Sequence, residues 1–227
     1  MATQLGFDLP VRAASGRDDF MVAPSNAVAL AMIDNWAAWP LGKLALTGPT
    51  GAGKTHLAQV WAAASGAQIL TASQLPQHDI AALAHAPTAV EDVDRIASDM
   101  DAQTALFHLH NMLQAAGHPL LMTGTAHPAH WRLSLPDLQS RVDAAGHAAL
   151  EAPDDSLLAA VVAKLFADRQ LAPHPGVIAY LTTRMERSFA AAQQIVRDLD
   201  AASLARKKPI TRALAAEVLD NTGPHGG

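Results

Sequence analysis

Eight residues, Gly48-Pro49-Thr50-Gly51-Ala52-Gly53-Lys54-Thr55, constrain the fold of this chain more than any other stretch. They spell G-x-x-x-x-G-K-[ST], with a short apolar run, Leu44-Ala45-Leu46, before them and a helix-like run from His56 to Ala64 after them. Strand, loop, helix is the setting that a phosphate-binding loop requires. The glycines let backbone N–H groups turn inward around phosphate oxygens, and the amino end of the helix adds its dipole. Lys54 is then the partner of the β- and γ-phosphates, and Thr55 a ligand of Mg²⁺. Gly48 to Thr55, with His56 in the first turn of the helix, are the candidate nucleotide-binding residues.

Such a loop needs a sheet and helices around it, and 227 residues suffice for one large domain, or one domain with a small appendage. Half of the residues are hydrophobic but only 4% are aromatic, and alanine supplies much of the rest, which favours helix. A formal net charge of −5 gives no general attraction to polyanions and argues against a protein that coats DNA. With no cysteine there is neither a disulfide framework nor a thiolate metal site, which suits the cytoplasm. None of the 11 histidines lies in an H-E-x-x-H pattern, and His108 and His110, two apart, point apart on a helix; they read as ordinary side chains. No apolar run is long enough to span a bilayer, and the first residues lack the pattern of a signal peptide.

Residues 1–18 contain Gly6, Pro10, Ser15 and Gly16 without sustained periodicity and read as a tail. Inside it, Gln4-Leu5-Gly6-Phe7-Asp8-Leu9-Pro10 places apolar residues at 5, 7 and 9 behind a glutamine. That spacing fits a short peptide docking in another protein's groove, and equally a strand of the chain's own sheet. Ser25 is expected to cap a helix from Asn26 to Trp39 that Pro40 ends. Ala67 to Thr71 reads as a second strand. A third, Thr88-Ala89-Val90-Glu91-Asp92, ends in adjacent carboxylates where a P-loop protein needs acidic groups facing Mg²⁺ and water. With Asp94 nearby, the same stretch also reads as a solvated acidic turn. A helix from Ala102 to Ala116, a strand from Pro119 to Thr123 ending at Gly124-Thr125, and a weak strand from Ala148 to Glu151 follow. Beyond Pro153 only helical segments are expected: Asp154 to Gln170, Gly176 to Leu204 with a break near Glu186 to Ser188, and Thr211 to Leu219. The expected division is a tail (1–18), an α/β nucleotide-binding domain (19–151) and a small helical domain (152–227).

In this order the motifs resemble the AAA+ ATPases, and within them the DnaA/Hda branch of bacterial replication proteins, over nearly the whole chain. Phe20-Met21-Val22-Ala23-Pro24-Ser25-Asn26 resembles the segment lining the adenine pocket, which implies Phe20 and Val22 as base contacts. Gly48 to Thr55 is similar to Walker A, and Val90-Glu91-Asp92-Val93 to Walker B. Phe107-His108-Leu109-His110-Asn111 resembles box VI, Thr123-Gly124-Thr125 stands where sensor 1 belongs, and Leu138-Gln139-Ser140-Arg141 resembles box VII. The resemblance implies an α/β AAA+ P-loop fold: a five-stranded parallel sheet with a small C-terminal helical lid. It also implies ADP or ATP with Mg²⁺ on Thr55 and Glu91, catalytic roles for Glu91, Asp92 and Thr125, and Arg141 as a finger reaching a neighbour's nucleotide.

Two features resemble Hda-like regulators more than the initiator DnaA: the sequence stops at Gly227 with no helix-turn-helix after the lid, and Gln4-Leu5-Gly6-Phe7-Asp8-Leu9 is similar to a sliding-clamp-binding peptide. The implied partners are the polymerase III sliding clamp, through Gln4, Leu5, Phe7 and Leu9, and the AAA+ domain of DnaA; a homodimer is possible, DNA is met only through the clamp, and no membrane is involved. The sequence departs from the pattern at sensor 1, where Thr125 replaces an aspartate, and at sensor 2, where the lid arginine falls on Ala190 or Ala191 with Arg184 and Arg187 earlier. Those departures imply weak hydrolysis by the chain itself, with ADP binding retained. The competing readings are a DNA-binding replication factor, either a DnaA-like initiator fragment or a DnaC-type helicase loader, and a stand-alone ATPase.

Overall fold

The computed structural model describes residues 21–222; the tail peptide with Gln4, Leu5, Phe7 and Leu9, and Phe20, lie outside the described residues. Five parallel strands make one sheet: β1 (Lys43–Thr47), β2 (Gln68–Thr71), β3 (Thr88–Glu91), β4 (Leu120–Gly124) and β5 (Gly146–Ala149), in the order β2-β3-β4-β1-β5. A parallel sheet needs helices on both faces. Alternation along the strands sorts the side chains accordingly. Ala45, Val90, Leu120 and Met122 pack on the face that holds α4 (Met100–Ala116) and α5 (Pro136–Asp143). Leu44, Leu46, Ala89 and Leu121 pack on the other face with α1 (Ala27–Asp34) and α2 (Lys54–Ser65). The register sets Thr47 beside Gly124 and Thr71 beside Glu91, so the phosphate loop, the carboxylates and Thr125 all leave the sheet at one edge. A short helix, α3 (Ile80–Leu83), which sequence periodicity was too short to mark, joins β2 to β3.

Past β5, α6 (Asp155–Asp168), α7 (Val177–Thr182), α8 (Phe189–Arg206) and α9 (Arg212–Thr222) close around Leu158, Val162, Phe166, Leu181, Ile195 and Leu199. Asp154 caps α6 by accepting from the Leu157 N–H at 2.7 Å, and Ser188 caps α8 by accepting from Ala191 N–H at 3.0 Å.

The first helix departs from expectation at both ends. Asn26, not Ser25, precedes α1, and its amide is used on the incoming chain, accepting from Ala23 N–H and donating to the Met21 carbonyl, each at 2.9 Å. The helix stops at Asp34, well before Trp39, because that tryptophan serves a tertiary purpose. Its indole N–H donates to the Met32 carbonyl at 2.7 Å and its ring lies 5.1 Å from that of Trp61, buried beneath the sheet. The last strand also begins two residues earlier than its apolar pattern shows, at Gly146, since backbone pairing with Leu44 rather than side-chain burial defines it.

Candidate functional site

The loop after β1 passes through left-handed conformations that its glycines permit: Gly51 at φ 78° and Gly53 at φ 99°. Gly53 opens α2 and has no side chain with which to cap it. Lys54 is only 9% exposed and its ammonium donates to the Gly48 carbonyl at 2.6 Å and the Pro49 carbonyl at 3.0 Å. Burial pulls the Lys54 ammonium below its ordinary range; Asp92, Asp94 and Glu91 oppose that shift, and Arg95 adds to it. A helix amino end opened by glycine, a buried ammonium and carboxylates within electrostatic reach fit a nucleotide phosphate chain with its cation. The Thr55 side chain is exposed and Glu91 half-buried. Among the described residues no group of three or more His, Asp or Glu side chains could hold a metal alone. Mg²⁺ bound here would therefore draw on Thr55 and Glu91 together with phosphate oxygens. His56 is half-buried in the first turn of α2, and Val22, 60% exposed, lies in the segment leading to α1.

Asp92 and Thr125 lie at neighbouring strand ends with Asp94, the residue that lets this stretch also read as an acidic turn. Asp92 sits in the left-handed region at φ 59°, donates its N–H to Thr123 Oγ1 at 3.1 Å and pairs with Arg95 at 3.4 Å. Thr125 donates both its N–H, at 2.8 Å, and its hydroxyl to Asp94 Oδ2, while the buried Asp94 Oδ1 has no hydrogen-bond partner. The Thr125 hydroxyl proton is thus committed to a carboxylate, and the negative charge that position 125 lacks stands next to it in space. Trp131 holds this corner: a Cβ at Gly124 would come within 2.7 Å of its ring, and its indole donates to the Ala126 carbonyl at 2.7 Å.

The lid meets the loop through uncharged atoms. The Phe189 N–H donates to the Gly51 carbonyl at 2.9 Å, a Cβ on Gly51 would stand 2.3 Å from Ser188 Cβ, and one on Gly53 would stand 3.1 Å from the Phe189 ring. Neither neighbouring arginine takes that place: Arg184 lies 4.1 Å over the Tyr180 ring, and Arg187 pairs with Asp155 at 2.9 Å. The glycines at 51 and 53 thus answer to lid packing as well as to phosphate. Gly66, at φ 73° with nothing within 4 Å of a built Cβ, isolates the backbone part of that demand. We expect Gly66→Ala to cost about 1–2 kcal/mol, the left-handed penalty alone. Gly51→Ala should lose clearly more in chemical denaturation, and equal losses would show that the Ser188 contact carries nothing.

Arg141 is on α5, away from these carboxylates. The buried Gln103 positions that helix: its amide donates to the Ile96 and Ala97 carbonyls, both at 2.9 Å, and accepts from Leu135 N–H at 2.9 Å. One side chain thus ties the exit of β3 to the start of α5, a role that a single glutamine in an amphipathic helix does not announce. Arg141 is exposed and makes no ion pair among the described residues, and Asp143 accepts instead from Gln139 at 2.8 Å.

No known protein-family model matches the chain. Among solved structures it is similar to domain III of the replication initiation protein DnaA from Thermotoga maritima, with TM-score 0.81 and 18% identity over 94% of this chain and 98% of that one. It is also similar to DnaA from Aquifex aeolicus with AMPPCP bound, at TM-score 0.69 and 16% identity over 81% of this chain and 64% of that longer one. A RuvB from Thermotoga maritima matches at TM-score 0.69 and 17% identity over 91% of this chain and 72% of that one. The chain has the AAA+ fold of DnaA domain III.

Proposed function

We propose that the chain is an Hda-like regulator of replication initiation, which binds an adenine nucleotide in its phosphate loop and promotes ATP hydrolysis by DnaA on a DNA-loaded sliding clamp. The observation that carries this reading is an asymmetry. The residues that would hold phosphates and Mg²⁺ gather at one edge of the sheet, while the lid contributes Ser188 and Phe189 instead of a charge, and Arg141 is exposed with no ion pair among the described residues. Such a site fits binding better than turnover, and an unpaired arginine is suited to a neighbour's transition-state charge. In this reading Lys54 neutralises phosphate charge, Thr55 and Glu91 hold the cation, Asp92 and Asp94 orient water, and the nucleotide supplies the phosphoanhydride. Phe20 and Val22 border the base, and the role places the protein in the cytoplasm.

The test is hydrolysis of DnaA-bound ATP on clamp-loaded DNA with and without this protein; an unmodified chain that never accelerates it removes the reading. Acceleration of its own hydrolysis with rising concentration would instead make a second copy the target. Salt-sensitive binding of the free chain to DNA would favour the replication-factor alternative. The clamp contact is assigned to the tail, since an extended peptide supplies its own anchors. Gln4→Ala with Leu5→Ala should abolish clamp capture and leave ADP affinity unchanged, and capture that survives would place the contact elsewhere.

A further inference from the structure

We infer that the surface of the lid where α7 meets the turn between α8 and α9 binds the phosphate backbone of duplex DNA, through Arg184, Lys207, Lys208 and Arg212. No Asp or Glu stands between Asp200 and Glu217, and Arg206, Lys207, Lys208 and Arg212 all fall in that span. Arg206 pairs with Glu217, the carboxylate that borders a cleft of about 310 Å³ together with Lys208 and Thr211. Arg184, Lys207, Lys208 and Arg212 are exposed and make no ion pair among the described residues. The net charge of −5 opposes a polyanion only on average, whereas a phosphate on this surface meets chiefly the charges within about 10 Å of it.

Two of these residues stand at positions that cost stability. Lys207 closes α8 in the left-handed region at φ 50°, where glycine is the favoured residue. Arg212 lies in the first turn of α9, which holds no acidic residue, and there the helix dipole disfavours a cation. A bound anion offsets the second cost and gives the first a use. The backbone between them is fixed: the Lys208 N–H donates to the Ser203 carbonyl at 3.2 Å, the Ser203 hydroxyl donates to the Lys208 carbonyl at 2.6 Å, and the His174 N–H donates to the Ile210 carbonyl at 2.9 Å. Arg184 and Arg212 both lie over the Tyr180 ring, at 4.1 and 5.2 Å from its centroid. That ring is half-buried and already covered by guanidinium, so it is a poor platform for the bases of a single strand. What the surface offers is guanidinium forks and ammonium charges, which suit phosphodiester oxygens and read no sequence. Leu204 is the sole large hydrophobic residue exposed among the described residues of the lid, too little apolar surface to insert into a bilayer. The inference goes beyond the proposed role, in which DNA is met only through the clamp, and it is read on the chain alone.

The experiment measures fluorescence anisotropy of a labelled DNA duplex of arbitrary sequence with the full chain and no clamp. Four phosphate contacts predict an affinity that falls about 100-fold between about 50 and about 200 mM salt. A triple variant with Lys207→Ala, Lys208→Ala and Arg212→Ala should bind about tenfold more weakly or worse at low salt, and lose only about fourfold over the same range. Lys207→Gly suits the left-handed backbone, so it keeps the fold, and it too should weaken binding. Arg197→Ala, which removes another exposed lid arginine, one bonded to Gln194, should not. Binding that depends on these residues and vanishes at physiological salt supports the lid contact and leaves the regulatory reading standing. Binding that depends on them and persists at physiological salt also supports the contact, and moves the function to the replication-factor alternative. Duplex binding that the triple variant retains, or that Arg197→Ala lowers equally, overturns the proposal. So does a chain that binds polyglutamate or anionic lipid vesicles and no duplex.

Discussion

Replacing Lys54 with alanine is expected to weaken ADP and ATP binding by at least ~2 kcal/mol, about thirtyfold, the scale of a lost charge-assisted hydrogen bond in a buried setting. The structure gives two reasons for placing the largest nucleotide effect here. The ammonium is the sole basic group with a bond into the loop among the described residues, and those bonds, to Gly48 and Pro49, also brace the loop's own carbonyls. Alanine therefore removes a phosphate partner and the side-chain donor to the Gly48 carbonyl, while the Pro49 carbonyl keeps the Ala52 N–H at 3.2 Å. Calorimetry on a variant with an unaltered circular dichroism spectrum decides the matter. An affinity within twofold of the parent would mean that the loop's backbone N–H groups hold the phosphates unaided.

The second large effect belongs to Arg141. An arginine supplied in trans stabilises transition-state charge by ~10³ to 10⁵ in rate, so Arg141→Ala should abolish stimulation of DnaA hydrolysis on the clamp. The same substitution should leave the fold nearly untouched, within about 0.5 kcal/mol, since the side chain is exposed and makes no ion pair among the described residues. ADP binding and clamp capture serve as internal controls, because this scheme assigns them to the phosphate loop and to the tail peptide rather than to Arg141. Undiminished stimulation by the variant would remove Arg141 from the role and leave the regulatory function to be carried by another group. Lost stimulation together with lost clamp capture would instead point to a misfolded protein, which the same denaturation measurement detects.

The similarity to both DnaA and RuvB shows how far fold alone reaches. At 16–18% identity the fold is shared with proteins of different names. What separates the possibilities lies in single side chains: the neutral lid contact at Ser188 and Phe189, the Thr125–Asp94 pair, and the unpaired Arg141.

Some of this was written in local sequence. The phosphate loop was legible because its spacing is dictated by backbone geometry around a phosphate, a demand met within eight consecutive residues. The five-stranded parallel sheet was implied by the resemblance of the ordered motifs to AAA+ proteins, and the short apolar runs separated by helical periodicity agree with it. A break near Glu186 to Ser188 was also expected, and in the structure Ser188 caps α8. Tertiary structure alone decided the rest, because each remaining feature joins residues far apart in the chain whose meeting no local pattern encodes. Asp94 became the partner of Thr125 only once β3 and β4 were placed side by side. Gly51 and Gly53 acquired a second purpose only when the lid came down upon them. Lys43 at the start of β1 is buried by packing, with its ammonium on Gln114 of α4, and desolvation first and then Arg141 pull it below its ordinary range, which no local pattern shows.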